Sequence, residues 1–239
     1  MKKTIFISLI VAFAATSITS AQNLEKILDK HFEAIGQKKL LKVTAIQATG
    51  KIVMMGMESP FQMISKRPNK LQISLDFQGA KVIQVYDGES AWMINPMMGS
   101  DPMDISGAEA DGLKETSDVD GQLWNYKEKG HQLELEGTEE VDGAEAYVLK
   151  LTKKNGKIDH YYLDAESYMI VKLKNKTMMN GMETEGEGLF SNYKNVDGFM
   201  MAHTIEQKAG GQTVMTITLE EVEANVAIDD SIFAKPANN

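Results

Sequence analysis

The sequence predicts a mainly β protein, an incomplete antiparallel β-barrel with a few helices on its concave side. Apolar and polar residues alternate along many short segments between residues 44 and 219, a period of two that is typical of strands with one buried face. Turn sequences rich in Gly, Asn and Asp separate these segments, so consecutive strands can pair as a meander. We expect about ten to eleven strands, and a sheet of that size must curl to bury one face.

Residues 1–21 have the pattern of a secretory signal peptide. Lys2 and Lys3 precede a short apolar run, and Thr19-Ser20-Ala21 offers small residues at the cleavage position. The run is too short for a membrane-spanning helix. We therefore expect a mature chain that forms one domain over residues 22–239 and lies in the periplasm.

The composition excludes two classes of partner. The chain has 25 Lys and Arg against 34 Asp and Glu, a formal net charge of −9. Nucleic acids and anionic membrane surfaces are bound by an excess of cationic side chains, so neither is expected as a partner. The chain contains no cysteine, so we expect neither a disulfide framework nor a lipid attached to an N-terminal cysteine.

The first predicted element is an amphipathic helix. Asn23 can cap it, and Gly36 stands where a glycine commonly ends a helix. Residues 44–96 then alternate as about five strands joined by short turns. The apolar residues of the helix recur at a spacing that keeps one face toward a core: Leu24, Ile27, Leu28, Phe32 and Ile35.

The stretch from residue 66 to 96 has the clearest strand pattern. Its first strand has one polar and one apolar face, and a second strand runs from Val82 to Tyr86. After a turn at Asp87-Gly88, a third strand carries Trp92 and Ile94. The apolar face of the first strand consists of Leu71, Ile73, Leu75 and Phe77.

Residues 97–130 interrupt the alternation. Proline and glycine punctuate the segment, and helical pieces are expected at 107–116 and 120–128. Connections this long inside a compact domain usually have a function, so we expect a helical lid, a plug or an interaction loop. The alternation resumes at Leu133 and continues to Leu219. We expect the tail after it to dock through Ile228, Ile232 and Phe233.

No set of residues has the arrangement of an active site. The histidines are scattered singly, the carboxylate pairs fit the acidic composition, and no serine lies in a nucleophile-elbow pattern. We therefore expect neither an enzyme nor a bound cofactor. The four histidines are His31, His131, His160 and His203.

Methionine is abundant instead, with 15 in the mature chain after Met1 is subtracted from the 16 of the sequence. Flexible thioether side chains suit an apolar surface that adapts to disordered acyl chains, although ordinary core packing is the simpler reading for each one. The candidates in strand-like segments are Met54, Met63, Met93, Met201 and Met215.

A copper site is an alternative use of the same residue type. Met54-Met55-Gly56-Met57 and residues 178–182 place several methionines at turns, and thioethers are ligands of Cu(I). No histidine lies within either turn. We regard Cu(I) binding as a less favoured reading.

One motif resembles a known family. Lys66-Arg67-Pro68-Asn69, two strands, Asp87-Gly88 followed by Trp92, and Asn95-Pro96 occur in the order and approximate spacing of the periplasmic outer-membrane lipoprotein carrier (LolA-like) family. Tyr162-Leu163-Asp164 and Val196-Asp197-Gly198 echo the C-terminal half of the family more weakly.

The resemblance implies a half-barrel covered by a helical lid. Such a carrier holds acyl chains of lipoproteins in its cavity, and it receives them from an inner-membrane donor and passes them to an outer-membrane acceptor. The arginine of the motif, here Arg67, bonds to the lid and governs release. Because relatives with this fold also act as sensors, an envelope protein-interaction or sensor module is the alternative function.

Residue pattern and resemblance together give one candidate set of ligand-binding residues. The set comprises Arg67, Leu71, Ile73, Leu75, Phe77, Trp92, Ile94, Met54, Met63 and Met215.

Overall fold

The structure, a computed structural model, describes residues 23–77, 79–179 and 182–237. In them thirteen antiparallel strands form one sheet, more than the ten to eleven that the sequence predicts. The strands are β1 (Ala45–Met54), β2 (Met57–Lys66), β3 (Lys70–Phe77), β4 (Ala80–Tyr86), β5 (Ala91–Asn95), β6 (Gly99–Ile105), β7 (Gln132–Val141), β8 (Ala144–Thr152), β9 (Ile158–Asp164), β10 (Ile170–Met179), β11 (Met182–Val196), β12 (Phe199–Ala209) and β13 (Gln212–Ala224). The helices are α1 (23–34), α2 (Gln37–Leu40), α3 (Gly107–Ser117) and a 3₁₀ turn, Asp230–Phe233.

The sheet consists of two meanders joined in the middle. Strands β1 to β6 form the first meander and β7 to β13 the second, and β1 pairs with β13. β6 and β7 lie at the two edges and do not pair with each other in the described residues. The barrel is therefore incomplete, which confirms the predicted fold class.

The connection between the two edges, residues 106–131, is called here the crossover segment. Its first part is α3, as predicted, but residues 120–128 form successive turns and not the expected helix. Gly121 and Asn125 have φ angles of 75° and 51°, a left-handed backbone that does not continue a right-handed helix. β6, also unpredicted, carries Pro102, which is tolerated because β6 is an edge strand.

The helices pack on the concave face of the sheet. α1 buries Leu24, Ile27 and Leu28 together with Tyr126 of the crossover segment, on the strands β7 to β9. On the first meander, α3 inserts Leu113 among buried residues of β3 to β6. Both meanders are thus covered on the same side, since α1 packs on the second meander and α3 on the first.

The convex face of the first meander is covered by the C-terminal tail. Phe233, which is 1% exposed, packs with Val85 and Trp92. The indole Nε1 of Trp92 donates a hydrogen bond to the Phe233 carbonyl oxygen at 3.1 Å. Ile228 and Ile232 pack on the same cluster, so the predicted docking of the tail is confirmed.

Candidate ligand cavity

An apolar cavity of about 540 Å³ lies between the concave face and α3. Its volume falls within the range of roughly 300 to 1,000 Å³ that is usual for ligand sites. Thr116 of α3 lines it on one side, and strands of both meanders line it on the other. The apolar lining residues are Ile52, Phe61, Met63, Ile73, Leu75, Leu173, Phe190, Met201, Ile205, Val214, Met215, Ile217 and Leu219, with Ala209.

The register of the strands explains why these side chains meet. Residues directly opposite each other in an antiparallel pair project to the same face. Met63 lies opposite Ile73, and Ile52 lies opposite Ile217. Regular alternation on each strand therefore extends one apolar wall across the join between the meanders.

A glycine keeps part of this wall free of side chains. A Cβ atom on Gly188 would lie 3.3 Å from the ring of Phe190, which packs over that position. A larger residue at 188 would require the ring to shift by a few tenths of an ångström. Gly188 therefore lets the ring of Phe190 lie against β11, where Phe190 forms part of the wall.

The structure brings together four of the predicted ligand-binding residues. Met63, Ile73, Leu75 and Met215 line the cavity. Met54 lies opposite Met215 on the same face, nearer the end of β1. The side chain of Phe77 is outside the part of the chain that the structure describes.

Three other predicted residues lie elsewhere. Leu71 is fully buried beneath α3 and does not reach the cavity. Trp92 and Ile94 project to the convex face, where they pack on the tail. Successive residues of a strand face opposite sides of the sheet. Tyr86 lies opposite Leu71 on the concave side, so Val85 and its partner Trp92 face the convex side.

The sequence prediction missed most of the wall from the second meander. Ile217 shares the alternation of Met215 on β13, so the signal for it was present. Phe190, Ile205 and Leu173 carried no comparable signal, because only the pairing of β10 to β13 shows that they face the same space.

Arg67 fastens the crossover segment to the barrel. Its Nη1 and Nη2 donate to the two carboxylate oxygens of Asp120, at 2.8 and 2.5 Å. Nη2 also donates to the carbonyl of Leu40 at 3.0 Å, and Nε donates to that of Val43 at 2.6 Å. The hydrogen bonds to Asp120 raise the pKa of Arg67, and the guanidinium stays charged. We call this set of contacts the Arg67 clamp.

Solved structures of the same architecture are known. A DUF1329 family protein from Desulfovibrio piger superposes with a TM-score of 0.62 at 17% identity, over 87% of this chain and 97% of that one. An outer membrane lipoprotein-sorting protein domain from Vibrio parahaemolyticus gives 0.59 at 14% identity, over 85% and 96%. A LolA superfamily protein from Nitrosomonas europaea gives 0.60 at 16% identity, over 88% and 97%. This chain has a LolA-like fold.

Likeness at these identities concerns the LolA-like fold alone. No protein-family model matches the sequence, and no curated protein matches it either. Among the described residues, no helix has both the length and the apolar character needed to cross a membrane.

A buried lysine ties α3 of the LolA-like fold to the second meander. The Nζ of Lys153, in the β8–β9 turn, lies 2.7 Å from Glu115 of α3 and 2.7 Å from Asp159 of β9. Burial opposes the charge on Lys153, but hydrogen bonds to the two carboxylates outweigh it and raise the pKa. Burial also raises the pKa of Asp159. Exposed Lys157 and Asp111 add a weaker link at 3.2 Å.

A second, polar cleft of about 700 Å³ lies where the β2–β3 turn, the crossover segment and the β8–β9 turn meet. Its groups are bonded to one another, as in the pair of Lys129 and Asp118 at 2.5 Å. Burial, with Lys129 and Lys153 nearby, lowers the pKa of His131 in the same cleft. Within the described ranges, no group of three His, Cys, Asp or Glu side chains is placed to hold a metal ion.

The methionines of the first predicted copper turn are neighbours on one face. Met54 lies opposite Met57 in the hairpin and opposite Met215 on the other side. In the second predicted turn, residues 180 and 181 and the side chains of 178, 179 and 182 are outside the part of the chain that the structure describes.

Proposed function

We propose that the protein is a periplasmic carrier that binds an acyl chain of a lipoprotein, or another apolar ligand, in the cavity without covalent chemistry. The observation that supports this most is the apolar cavity between the sheet and α3, beside a crossover segment that Arg67 and Lys153 hold through Asp120 and Glu115. An ordinary hydrophobic core would not leave such empty volume, because protein interiors normally pack without voids of this size.

The energetics of such binding follow from burial. Each methylene group moved out of water contributes roughly 0.8 kcal/mol, so ten of them contribute about 8 kcal/mol before ordering costs are subtracted. The cavity supplies apolar walls and few polar groups, which suits this form of binding. Adaptable methionine side chains at 63, 201 and 215 can follow chains of different shape.

The cargo route proposed is that of the lipoprotein-sorting proteins with this fold. An inner-membrane donor would supply the lipidated protein, and an outer-membrane acceptor would receive it. Opening requires the crossover segment to move away from the sheet, which breaks the Arg67 clamp or the contacts of Lys153. Release restores those contacts.

The test is competition for the cavity by a lipopeptide. A fluorescent apolar dye should bind the protein and be displaced by an acylated peptide, whereas the same peptide without its acyl chain should not compete. Native mass spectrometry should show the lipopeptide bound in a one-to-one complex.

A pair of variants locates the binding. Ile73→Gln places an amide in the cavity wall and should weaken dye binding about tenfold. Ile83→Gln is the matched control, because Ile83 is a partly buried isoleucine on the neighbouring strand that packs on the convex face. Equal effects of both variants, or no competition by the lipopeptide, would contradict the proposal. Capture of one envelope protein without lipid would instead support the sensor or interaction module.

Copper binding is a second candidate, favoured by the row of Met57, Met54 and Met215. Three neighbouring thioethers resemble a Cu(I) ligand set. Titration of Cu(I) in the presence of a colourimetric chelator tests it, and Met54→Leu should abolish any competition with the chelator.

A further inference from the structure

Exposed large apolar side chains are concentrated at one edge of the sheet, here the edge formed by the turns at one end of the strands and not by an edge strand. In the described part of the chain, six of the eight lie at the ends of the β1–β2, β5–β6 and β12–β13 hairpins, whereas Leu41 follows α2 and Ile158 begins β9. Met55 is 87% exposed and Met98 is 68% exposed, the two highest values among them. The others at this edge are Val53, Met57, Met97 and Val214.

The topology places these hairpin ends together. In an antiparallel sheet of order β5-β4-β3-β2-β1-β13-β12, the turns β1–β2, β5–β6 and β12–β13 all fall at the same edge. We call residues 53–57, 95–99 and 209–214 at this edge the methionine rim. The cavity adjoins it, because Ala209 and Val214 belong to the cavity lining.

The methionine rim is uncharged. None of its three stretches contains Asp, Glu, Lys or Arg, although 25% of the chain is charged. Moving a charged side chain into an apolar environment costs far more free energy than moving an uncharged one. The rim is thus free of the groups that would oppose contact with lipid most strongly.

The β1–β2 turn places an apolar side chain where turn geometry disfavours it. Met55 and Gly56 have φ angles of 53° and 77°, as in a two-residue turn that prefers Asn-Gly or Asp-Gly. At the opposite edge, the β11–β12 turn has the same signs of φ and uses Asp197-Gly198. Methionine at position 55 therefore costs local strain and leaves an apolar residue 87% exposed, a combination that points to a role in contact.

We propose that the methionine rim docks on the surface of a zwitterionic lipid bilayer and holds the open end of the cavity against it. This inference rests on the proposed carrier function, since it supplies the place where an acyl chain enters or leaves the cavity. Flexible methionine side chains on separate hairpins can each enter the lipid interface, whereas a protein partner would have to match their relative positions. The net charge of −9 disfavours an anionic surface and leaves a zwitterionic one.

Flotation of the full chain with phosphatidylcholine vesicles tests the proposal. Wild-type protein should float with vesicles, and the double variant Met55→Asp/Met98→Asp should show a roughly tenfold lower partition coefficient. Met55→Asp creates the Asp-Gly turn that the fold uses elsewhere, so this change should not unfold the hairpin. Adding an anionic lipid to the vesicles should weaken binding by the wild type.

Ile158→Asp is the matched control, because Ile158 and Met57 are each 40% exposed and only Met57 belongs to the rim. The control should float like the wild type. Dye binding in the cavity should be unchanged in the double variant, which separates failure of docking from failure of the carrier function. Three results would overturn the proposal: wild-type protein that does not float, an equal loss of flotation in Ile158→Asp, or a wild-type dimer that forms without lipid and is abolished by the double variant.

Discussion

Replacement of Arg67 by leucine tests the Arg67 clamp most directly. The substitution leaves the Asp120 carboxylate, which is 18% exposed, and the carbonyls of Leu40 and Val43 without their donor. Loss of one partner of a half-buried, hydrogen-bonded ion pair costs about 2 to 3 kcal/mol of unfolding free energy. Arg67→Lys should recover only part of this loss, because an ammonium group cannot reproduce the guanidinium fork.

Arg67→Leu should strengthen ligand binding although it lowers the free energy of unfolding. If the clamp forms in the closed, ligand-free protein and opens for the ligand, its removal destabilises only the closed form. A difference of about 2 kcal/mol then tightens binding roughly 30-fold, and release slows accordingly. Stopped-flow transfer of a fluorescent lipopeptide to an excess of vesicles measures the release rate, and urea unfolding measures the stability.

Lys66→Met is the control for this experiment. Lys66 precedes Arg67 and is similarly half-buried, but it bonds Asp230 and the Ile228 carbonyl of the tail, each at 2.7 Å. Lys66→Met should lower the free energy of unfolding and leave the release rate of the lipopeptide unchanged. Release by Arg67→Leu at the wild-type rate, or faster, would refute the reasoning.

Three further predictions concern buried polar groups. Both polar atoms of the Gln37 side chain are buried without a hydrogen-bond partner, so Gln37→Met should raise the unfolding free energy in urea by about 1 to 2 kcal/mol; a decrease would contradict it. Lys153→Met leaves the buried Asp159 carboxylate without its cation and should lower the unfolding free energy by about 3 kcal/mol. Lys157→Met, which removes an exposed ion pair, should lower it by less than about 1 kcal/mol. Burial lowers the pKa of His31, whose Nδ1 lies 2.8 Å from the Tyr168 carbonyl oxygen. Because the unfolded chain then binds the extra proton, stability should fall as pH drops below about 6.5, and His31→Gln should flatten this slope in denaturation at several pH values.

The local periodicity of apolar residues was the most informative signal in the sequence. It gave the first helix, most of the strands and the wall formed by Met63, Ile73 and Leu75, because these depend on local periodicity. It did not reveal β6, whose edge position allows Pro102 and a polar composition. The predicted fold class was correct although the strand count was low.

Relations between strands were less predictable. Four residues, 87–90, connect Tyr86 to its partner Ala91 on the neighbouring strand. Ala91 therefore shares the face of Tyr86, and the next residue, Trp92, projects to the convex face. A loop one residue longer or shorter would have given the opposite result. Likewise, the partner of Lys153 on α3 lies 38 positions away in the sequence, and no local pattern indicates it.

The pairing of β1 with β13 has a consequence for the order of folding. Each meander is built from neighbouring hairpins, whose contacts are local and form early, whereas the β1–β13 ladder joins segments separated by most of the chain. The walls of the cavity come from both meanders, so neither meander alone encloses the ligand space. Competence to bind should therefore arise only in the last stage of folding, and a chain arrested before it would present two apolar strips to molecular chaperones.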